Sequence, residues 1–227
     1  MINLEIIHEN KNYLVINKTA GLICETNSFN NIAVEDLVHE HLVKNKKKPF
    51  IGITHRLDKV TSGVILFAKK KSILIEFNEL FRNRKIQKTY WAIVKTKPPK
   101  DKEKLINFLV KNNLEKRADI VQSKLKNAQE SILTYKVIDK NELGYLLEIK
   151  PKTGRFHQIR AQLAYVGLPI IGDEKYGSDQ KYIPLSICLH ALKLRYQKTN
   201  SKELKSYQAK LPQNNFWKFK SLKNNDL

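Results

Sequence analysis

The sequence predicts an α+β protein. Short apolar runs of strand length alternate with three stretches of helical periodicity, and no linker or internal repeat cuts the 227 residues in two. Residues 1–227 therefore read as a single domain, with about 197–227 as a basic C-terminal extension. LEIIHE and NYLVINK flank Asn10-Lys11-Asn12, a turn-forming cluster, and read as a hairpin. Ile32, Val34, Leu37, Val38, Leu42 and Val43 recur at helical spacing after Asn30-Asn31. Lys46-Lys47-Lys48-Pro49 then breaks the pattern as an exposed basic loop. GVILFAKK at 63–70 is a buried strand. Ile73, Phe77, Leu80 and Phe81 predict a helix from Ser72, ending in Arg82, Arg84 and Lys85. TYWAIV at 89–94 returns to strand.

KTKPPKDKEK at 95–104 reads as a charged loop, and 105–130 shows no clear period beyond room for small strands. SILTYKVID and YLLEIK form a strand pair through Asn141–Gly144. A helix follows at Arg155 and stops at Gly167, with Pro169 beyond it. Its apolar stripe is Phe156, Ile159, Leu163 and Val166, which leaves His157, Gln158, Arg160 and Gln162 off the core face. The remaining C-terminal residues alternate basic and aromatic types, as a strand and a loosely held tail.

Lys and Arg number 42 against 22 Asp and Glu, a net charge of +20. That surplus suits a polyanionic partner, and nucleic acid fits best. An anionic membrane surface is the rival, but no basic amphipathic helix with a Trp/Leu face stands out. Lysines outnumber arginines 35 to 7, so part of the charge is lysine-rich composition and each arginine is the more informative. No apolar run approaches the ~18 residues of a membrane span. MINLEIIHEN lacks the basic-then-apolar pattern of a secretion signal, and a cytoplasmic location is expected. Cys24 and Cys188 are too few for a disulfide framework or a cysteine zinc site. His39 and His41 stand two apart, on different faces of a helix, so no metal is expected. Phosphate-cradling glycine loops are missing, which argues against a nucleotide cofactor.

Three segments look unlike scaffold. Ile53–Gly63 packs His55, Arg56, Asp58, Lys59, Thr61 and Ser62 just before a buried strand, where a sheet positions catalytic loops; the plainer reading is a capped, salt-bridged turn. Lys88-Thr89-Tyr90 opens a strand, and Tyr90 can stack on a base, donate a proton or simply pack. Lys152–Arg160 places a glycine and Arg155 at a helix start, which favours an anion; the plainer reading is a solvated helix face.

Together, HRLDKVTSG, then KTYWAIV, then KTGRFHQIRAQLAYVGLPIIGDEKYG, and finally LHA at 189–191 resemble the RluA-type family of RNA pseudouridine synthases. The similarity runs from the first hairpin to about residue 195. The resemblance implies a mixed, largely antiparallel sheet core with flanking helices and a central basic cleft. It implies conversion of uridine in ribosomal or transfer RNA to its C-glycosidic isomer, without metal or organic cofactor. Asp58 is then the essential carboxylate, acting as nucleophile at sugar or base, or taking a proton from the sugar. Arg155 matches the family's basic partner of that aspartate, and Tyr90 the tyrosine against the uracil. Arg56 matches a position implicated in base flipping. His55, Lys88, His157, Gln158 and Arg160 are the further candidates for RNA contact, and Lys46–Lys48, Lys69–Lys71 and Arg82–Lys85 for phosphates. Gln162 and Leu168 depart from the family, which often has His at both. Asp173 reads as a turn residue rather than a second acid. No separate N-terminal RNA-binding domain is expected, since only about 54 residues precede the motif, and a monomer is the default. A non-catalytic RNA-binding or ribosome-assembly factor on the same fold is the competing reading. A metal-dependent nuclease is disfavoured, because two-metal chemistry needs clustered carboxylates.

Overall fold

The computed structural model describes residues 4–27, 32–44, 48–121, 125–197 and 203–220. The chain forms two compact units, Met1–Lys88 with Ala191–Leu211, and Thr89–His190 with Pro212–Leu227. Both are dominated by antiparallel strands with a few helices, the α+β class predicted.

In the first unit, β1 (Glu5–Glu9) and β2 (Tyr13–Lys18) form the expected hairpin. The Asn10 side chain accepts from the N–H groups of Asn12 and Tyr13, the local bonding that makes asparagine a turn residue. β2 lies antiparallel to β4 (Ser62–Ala68), which is buried at every position, so its unbroken apolar run is that of a central strand. β3 (Gly52–Ile53) pairs with the end of β4, opposite Ala68 and Phe67. β4 neighbours β10 (Leu189–Gln197), and β10 pairs with β11 (Leu204–Gln208). Helix α1 (Val34–Val43) begins where the Asp36 carboxylate accepts the Ala33 N–H at 2.8 Å. Its expected lead-in, Asn30-Asn31, and Lys46-Lys47 of the basic loop lie outside the described residues. Helix α2 (Lys71–Arg82) sets Phe77 and Leu80 against Tyr13, Val15, Val64, Leu66, Leu194 and Tyr196. The Tyr13 and Tyr207 hydroxyls bond each other at 2.6 Å, which satisfies both polar tips inside this aromatic core.

In the second unit the strand order is β5 (Ile86–Val94), β9 (Gly144–Pro151), β8 (Gln129–Asn141), β6 (Lys102–Asn112), β7 (Arg117–Val121), antiparallel throughout. Asn141 accepts from the N–H groups of Leu143 and Gly144 and closes the predicted β8–β9 turn. The expected loop at 95–104 and the unreadable stretch after it turn out to hold β6, eleven residues long. Lys and Glu have weak strand propensity, so the DKEK approach hides the strand from sequence. Pairing with β8 from Lys102 to Leu109 and with β7 beyond Phe108 overrides that preference. Helix α3 (Gln158–Tyr165) starts three residues later than predicted. It ends as expected: Gly167 has φ +77, and the N–H groups of Gly167 and Leu168 cap the carbonyls of Ala164 and Leu163.

The glycine of the HRLDKVTSG motif has a packing reason. Gly63 sits at φ +117, and a Cβ there would stand 2.2 Å from the Ala191 carbonyl oxygen and 2.6 Å from its nitrogen. Ala191, the last residue of LHA, thus lies backbone to backbone against the motif, with no room for a methyl group. Gly63→Ala combines steric clash with backbone strain and is expected to cost about 3 kcal/mol or more. Thermal denaturation reads this directly; a melting temperature within a degree or two of wild type would refute the close approach.

Candidate active site

Asp58 opens a tight turn: its carbonyl accepts the Thr61 N–H at 3.0 Å, with Lys59 and Val60 between. Aspartate is favoured at the first position of such a turn. The backbone on either side of it is gripped by the chain that follows β2. The Cys24 thiol donates to the Leu57 carbonyl at 3.2 Å and accepts the Leu57 N–H at 3.3 Å. On the other side, the Lys59 carbonyl accepts the Gly21 N–H at 2.8 Å and the Lys18 ammonium at 3.3 Å. Lys18 is 1% exposed and also donates to the carbonyls of Thr19 and Leu22. Burial pushes its pKa down to about 8, and the nearby Cys24 and Asp58 pull it back up. Burial likewise raises the Cys24 thiol, so it serves as a hydrogen-bonding group rather than a thiolate.

The loop before Asp58 is stitched to β4 at one residue. Thr54 Oγ1 donates to the Leu66 carbonyl at 2.7 Å, and the Leu66 N–H donates to His55 Nε2 at 3.2 Å. His55 therefore carries its proton on Nδ1, and its ring lies 4.9 Å from that of Phe81. Desolvation, with the Lys88 charge nearby, holds its pKa down at about 3. His55 is thus a neutral anchor of the loop. Burial lowers Lys88 as well. Arg56 extends into solvent and meets Glu25 at 3.0 Å. Lys69, a candidate phosphate contact, is paired with Glu9 at 2.6 Å.

Tyr90, Arg155, His157, Gln158 and Arg160 belong to the second unit. Tyr90 is buried on β5 opposite Ile149. The KTGRFHQ segment folds around the Gln158 side chain, whose oxygen accepts from Thr153 Oγ1 at 2.8 Å and from the Arg155 N–H at 3.0 Å. Its nitrogen donates to the Ile132 carbonyl at 3.1 Å. The Arg155 backbone N–H is therefore already satisfied and is not the open anion cradle that a helix start at this residue predicts. Its side chain is exposed, with Nε 3.4 Å from the Glu130 carbonyl.

Gln158 and Arg160 were expected to face RNA, and both are buried. Arg160 makes a two-pronged ion pair with Asp173, Nε to Oδ2 at 2.7 Å and Nη2 to Oδ1 at 2.8 Å. Asp173 is 1% exposed, so it is the structural residue expected rather than a second acid. The third prong, Nη1, donates to His157 Nε2 at 3.0 Å. His157 Nδ1 then carries the proton and donates to the Tyr176 hydroxyl at 3.0 Å, which in turn accepts the Ala118 N–H. Desolvation and the adjacent Arg160 push His157 down to about 3, so it too is neutral. Gln162 is fully buried and donates to Asn107 and the Ser131 carbonyl, while Leu168 is buried in apolar packing. Both departures from the family pattern are core residues. Sequence reasoning missed Lys18, Cys24 and Tyr176. Lys18 reads as the polar end of the YLVINK strand, one lysine among 35, and only the glycine three residues on hints at a tight structure.

A neutral, half-buried His55 makes stability depend on pH. Its folded pKa of about 3 lies below the ordinary 6.5, so below pH 6.5 the unfolded chain takes up a proton that the folded chain refuses. Stability should fall as pH drops from 6.5 toward 3, approaching about 1.4 kcal/mol per pH unit for this one group. His157 acts in the same direction. In denaturant titrations between pH 4.5 and 6, His55→Gln should show a shallower pH slope than wild type. Equal slopes would exclude the neutral histidine.

The model of the RNA pseudouridylate synthase family matches residues 12–165. A tRNA pseudouridine synthase C of Vibrio parahaemolyticus is 31% identical over 214 residues, covering 86% of this chain and 85% of that protein. A ribosomal large subunit pseudouridine synthase C of Rickettsia bellii is 35% identical over 215 residues, 91% of this chain and 68% of that one. The solved structure of human RNA pseudouridylate synthase domain containing 4 superposes with a TM-score of 0.75 at 28% identity, covering 92% of this chain and 89% of that chain. With the family model spanning most of its length and relatives above 30% identity covered over more than two thirds, the chain belongs to the RNA pseudouridylate synthase family.

Proposed function

We propose that this chain isomerises one or more uridines of transfer or ribosomal RNA to pseudouridine, with Asp58 as the essential carboxylate. The observation that carries this reading is the grip on the Asp58 turn. Cys24 fixes the residue before it, and Lys18 with Gly21 fixes the residue after it. Such rigid backbone holds a reacting group in one geometry, which is a large part of what an active site contributes. A carboxylate so held can attack at sugar or base, or take a proton from the sugar. The target base must leave its stack for any of these, at a few kcal/mol. Arg56, exposed and planar, suits the space the base vacates.

Tyr90 and Arg155 serve the same reaction: Tyr90 against the uracil ring, assisting loss of the proton at carbon 5, and Arg155 as a cation that never gives up its own proton. The names of the relatives supply both substrate classes, tRNA and the large ribosomal subunit, and the charge of +20 suits either. Cytoplasmic RNA and a monomeric enzyme complete the proposal.

The test is a map of pseudouridine at single-base resolution, by carbodiimide chemistry and primer extension, in RNA from cells with and without the gene. One or more sites should vanish on deletion and return with wild type but not with Asp58→Asn. The purified Asp58→Asn enzyme should bind RNA as wild type does, with turnover down about 100-fold or more. No site lost on deletion, or full rescue by Asp58→Asn, would favour an RNA-binding assembly factor.

A further inference from the structure

Phe156 directly follows Arg155, and its ring is 39% exposed rather than buried on the core stripe of α3. It lies flat on His157, ring centroids 3.8 Å apart and planes 20° apart. The backbone of His157 is left-handed, at φ 50 and ψ 22, an uncommon and costly conformation for a bulky residue. That strain is held in place by named bonds. Arg160 and Tyr176 take the two ring nitrogens of His157, Asp173 holds Arg160, and Ala118 holds Tyr176. A strained residue locked from two sides fixes the Phe156 ring at the surface, where a phenyl gains nothing from burial.

The surroundings say what could cover it. The Lys111 ammonium is 5.4 Å from the ring centroid. Lys152 and Arg155 are both exposed within four residues of it. Two of the nearby acids are already engaged, Asp119 by Arg117 and Asn112, and Asp173 by Arg160. An exposed, rigid aromatic flanked by cations fits a nucleobase stacked on the ring with its phosphates on the lysines. We propose that Phe156, backed by His157, is a stacking platform for an unpaired base of the RNA. The inference rests on the isomerase reading for the identity of that RNA, but not for the stacking itself.

The test uses the full-length protein carrying Asp58→Asn, which binds without turning over. The probe is a single-stranded uridine dodecamer with one 2-aminopurine, moved along the strand in separate oligonucleotides. At one position the fluorescence should be quenched on binding. Adding Phe156→Ala should abolish that quench and weaken Kd about tenfold, the scale of one lost base–aromatic stack. Phe156→Tyr should retain both, and Phe156→Leu should behave as alanine. Unchanged affinity and quench in Phe156→Ala, or full rescue by leucine, would overturn the platform. The two readings fail separately. Loss of stacking without any cellular pseudouridine site leaves the platform standing and removes the isomerase. Mapped sites with an indifferent Phe156 do the reverse.

Discussion

One buried ammonium organises the first unit around its motif. Lys18 is almost entirely removed from water, and desolvating such a charge costs several kcal/mol. The structure offsets that cost with three backbone carbonyls and the nearby Asp58. The carbonyls belong to the turn after β2 and to Lys59, so one cation crosslinks two segments 41 residues apart in sequence. The same turn supplies Gly21 and Cys24, whose bonds fix Lys59 and Leu57. It is pinned in turn to α1, where the Val34 and Glu35 N–H groups donate to the Ile23 and Cys24 carbonyls. The buried helix N-terminus is satisfied by the segment that grips Asp58. A change in that segment therefore acts on the aspartate through backbone position rather than through contact with substrate.

The second unit solves the same problem with a pair in place of a lone charge. Arg160 and Asp173 sit in the interior with ideal two-pronged geometry. Removing one partner of such a pair strands the other and typically costs about 3–5 kcal/mol. The pair explains why α3 is polar by sequence yet buried: Gln158, Arg160 and Gln162 are all inside. Their side chains satisfy the backbone of neighbouring strands and loops, at Ile132, Ser131 and Arg155. The helix is an internal hydrogen-bonding post, and Arg155 and Phe156, which precede it, are exposed.

How far this was legible depends on whether a residue's environment is local. The β1–β2 hairpin, α2, β4 and the β8–β9 turn follow from patterns within a dozen residues, and each lies where the pattern puts it. The motifs led to the Asp58 turn through their order along the chain. What sequence misjudged is long-range. The β6 strand is stabilised by partners 20–34 residues away, against its own composition. On α3, a helical wheel assumes that polar means exposed, and it therefore turned Gln158 and Arg160 outward and Phe156 inward. Both errors come from the Arg160–Asp173 pair and the strained His157, neither of which leaves a periodic trace. His55 is the same case: its acceptor role on Leu66 depends on a strand eleven residues later.

The scarcity of arginine sharpens the reading of the site. With 35 lysines available, Arg160 stands where a point charge would not do. Arg160 uses all three nitrogens in different directions, two on Asp173 and one on His157, and its guanidinium lies 5.1 Å from the Tyr176 ring centroid. A lysine could hold the aspartate but not orient the imidazole at the same time. Arg117 likewise pairs Asp119 while its guanidinium lies 5.4 Å from the Tyr176 ring centroid. The lysines supply long-range attraction to a polyanion, which is diffuse and weakens with salt. The arginines supply fixed planes and forks. Attraction of the first kind brings RNA to the surface without choosing a nucleotide; choice has to come from rigid, directional groups. In this chain the backbone of the Asp58 turn and the Arg160–His157 cluster are such groups, and Lys18 and the Arg160–Asp173 pair hold them in place.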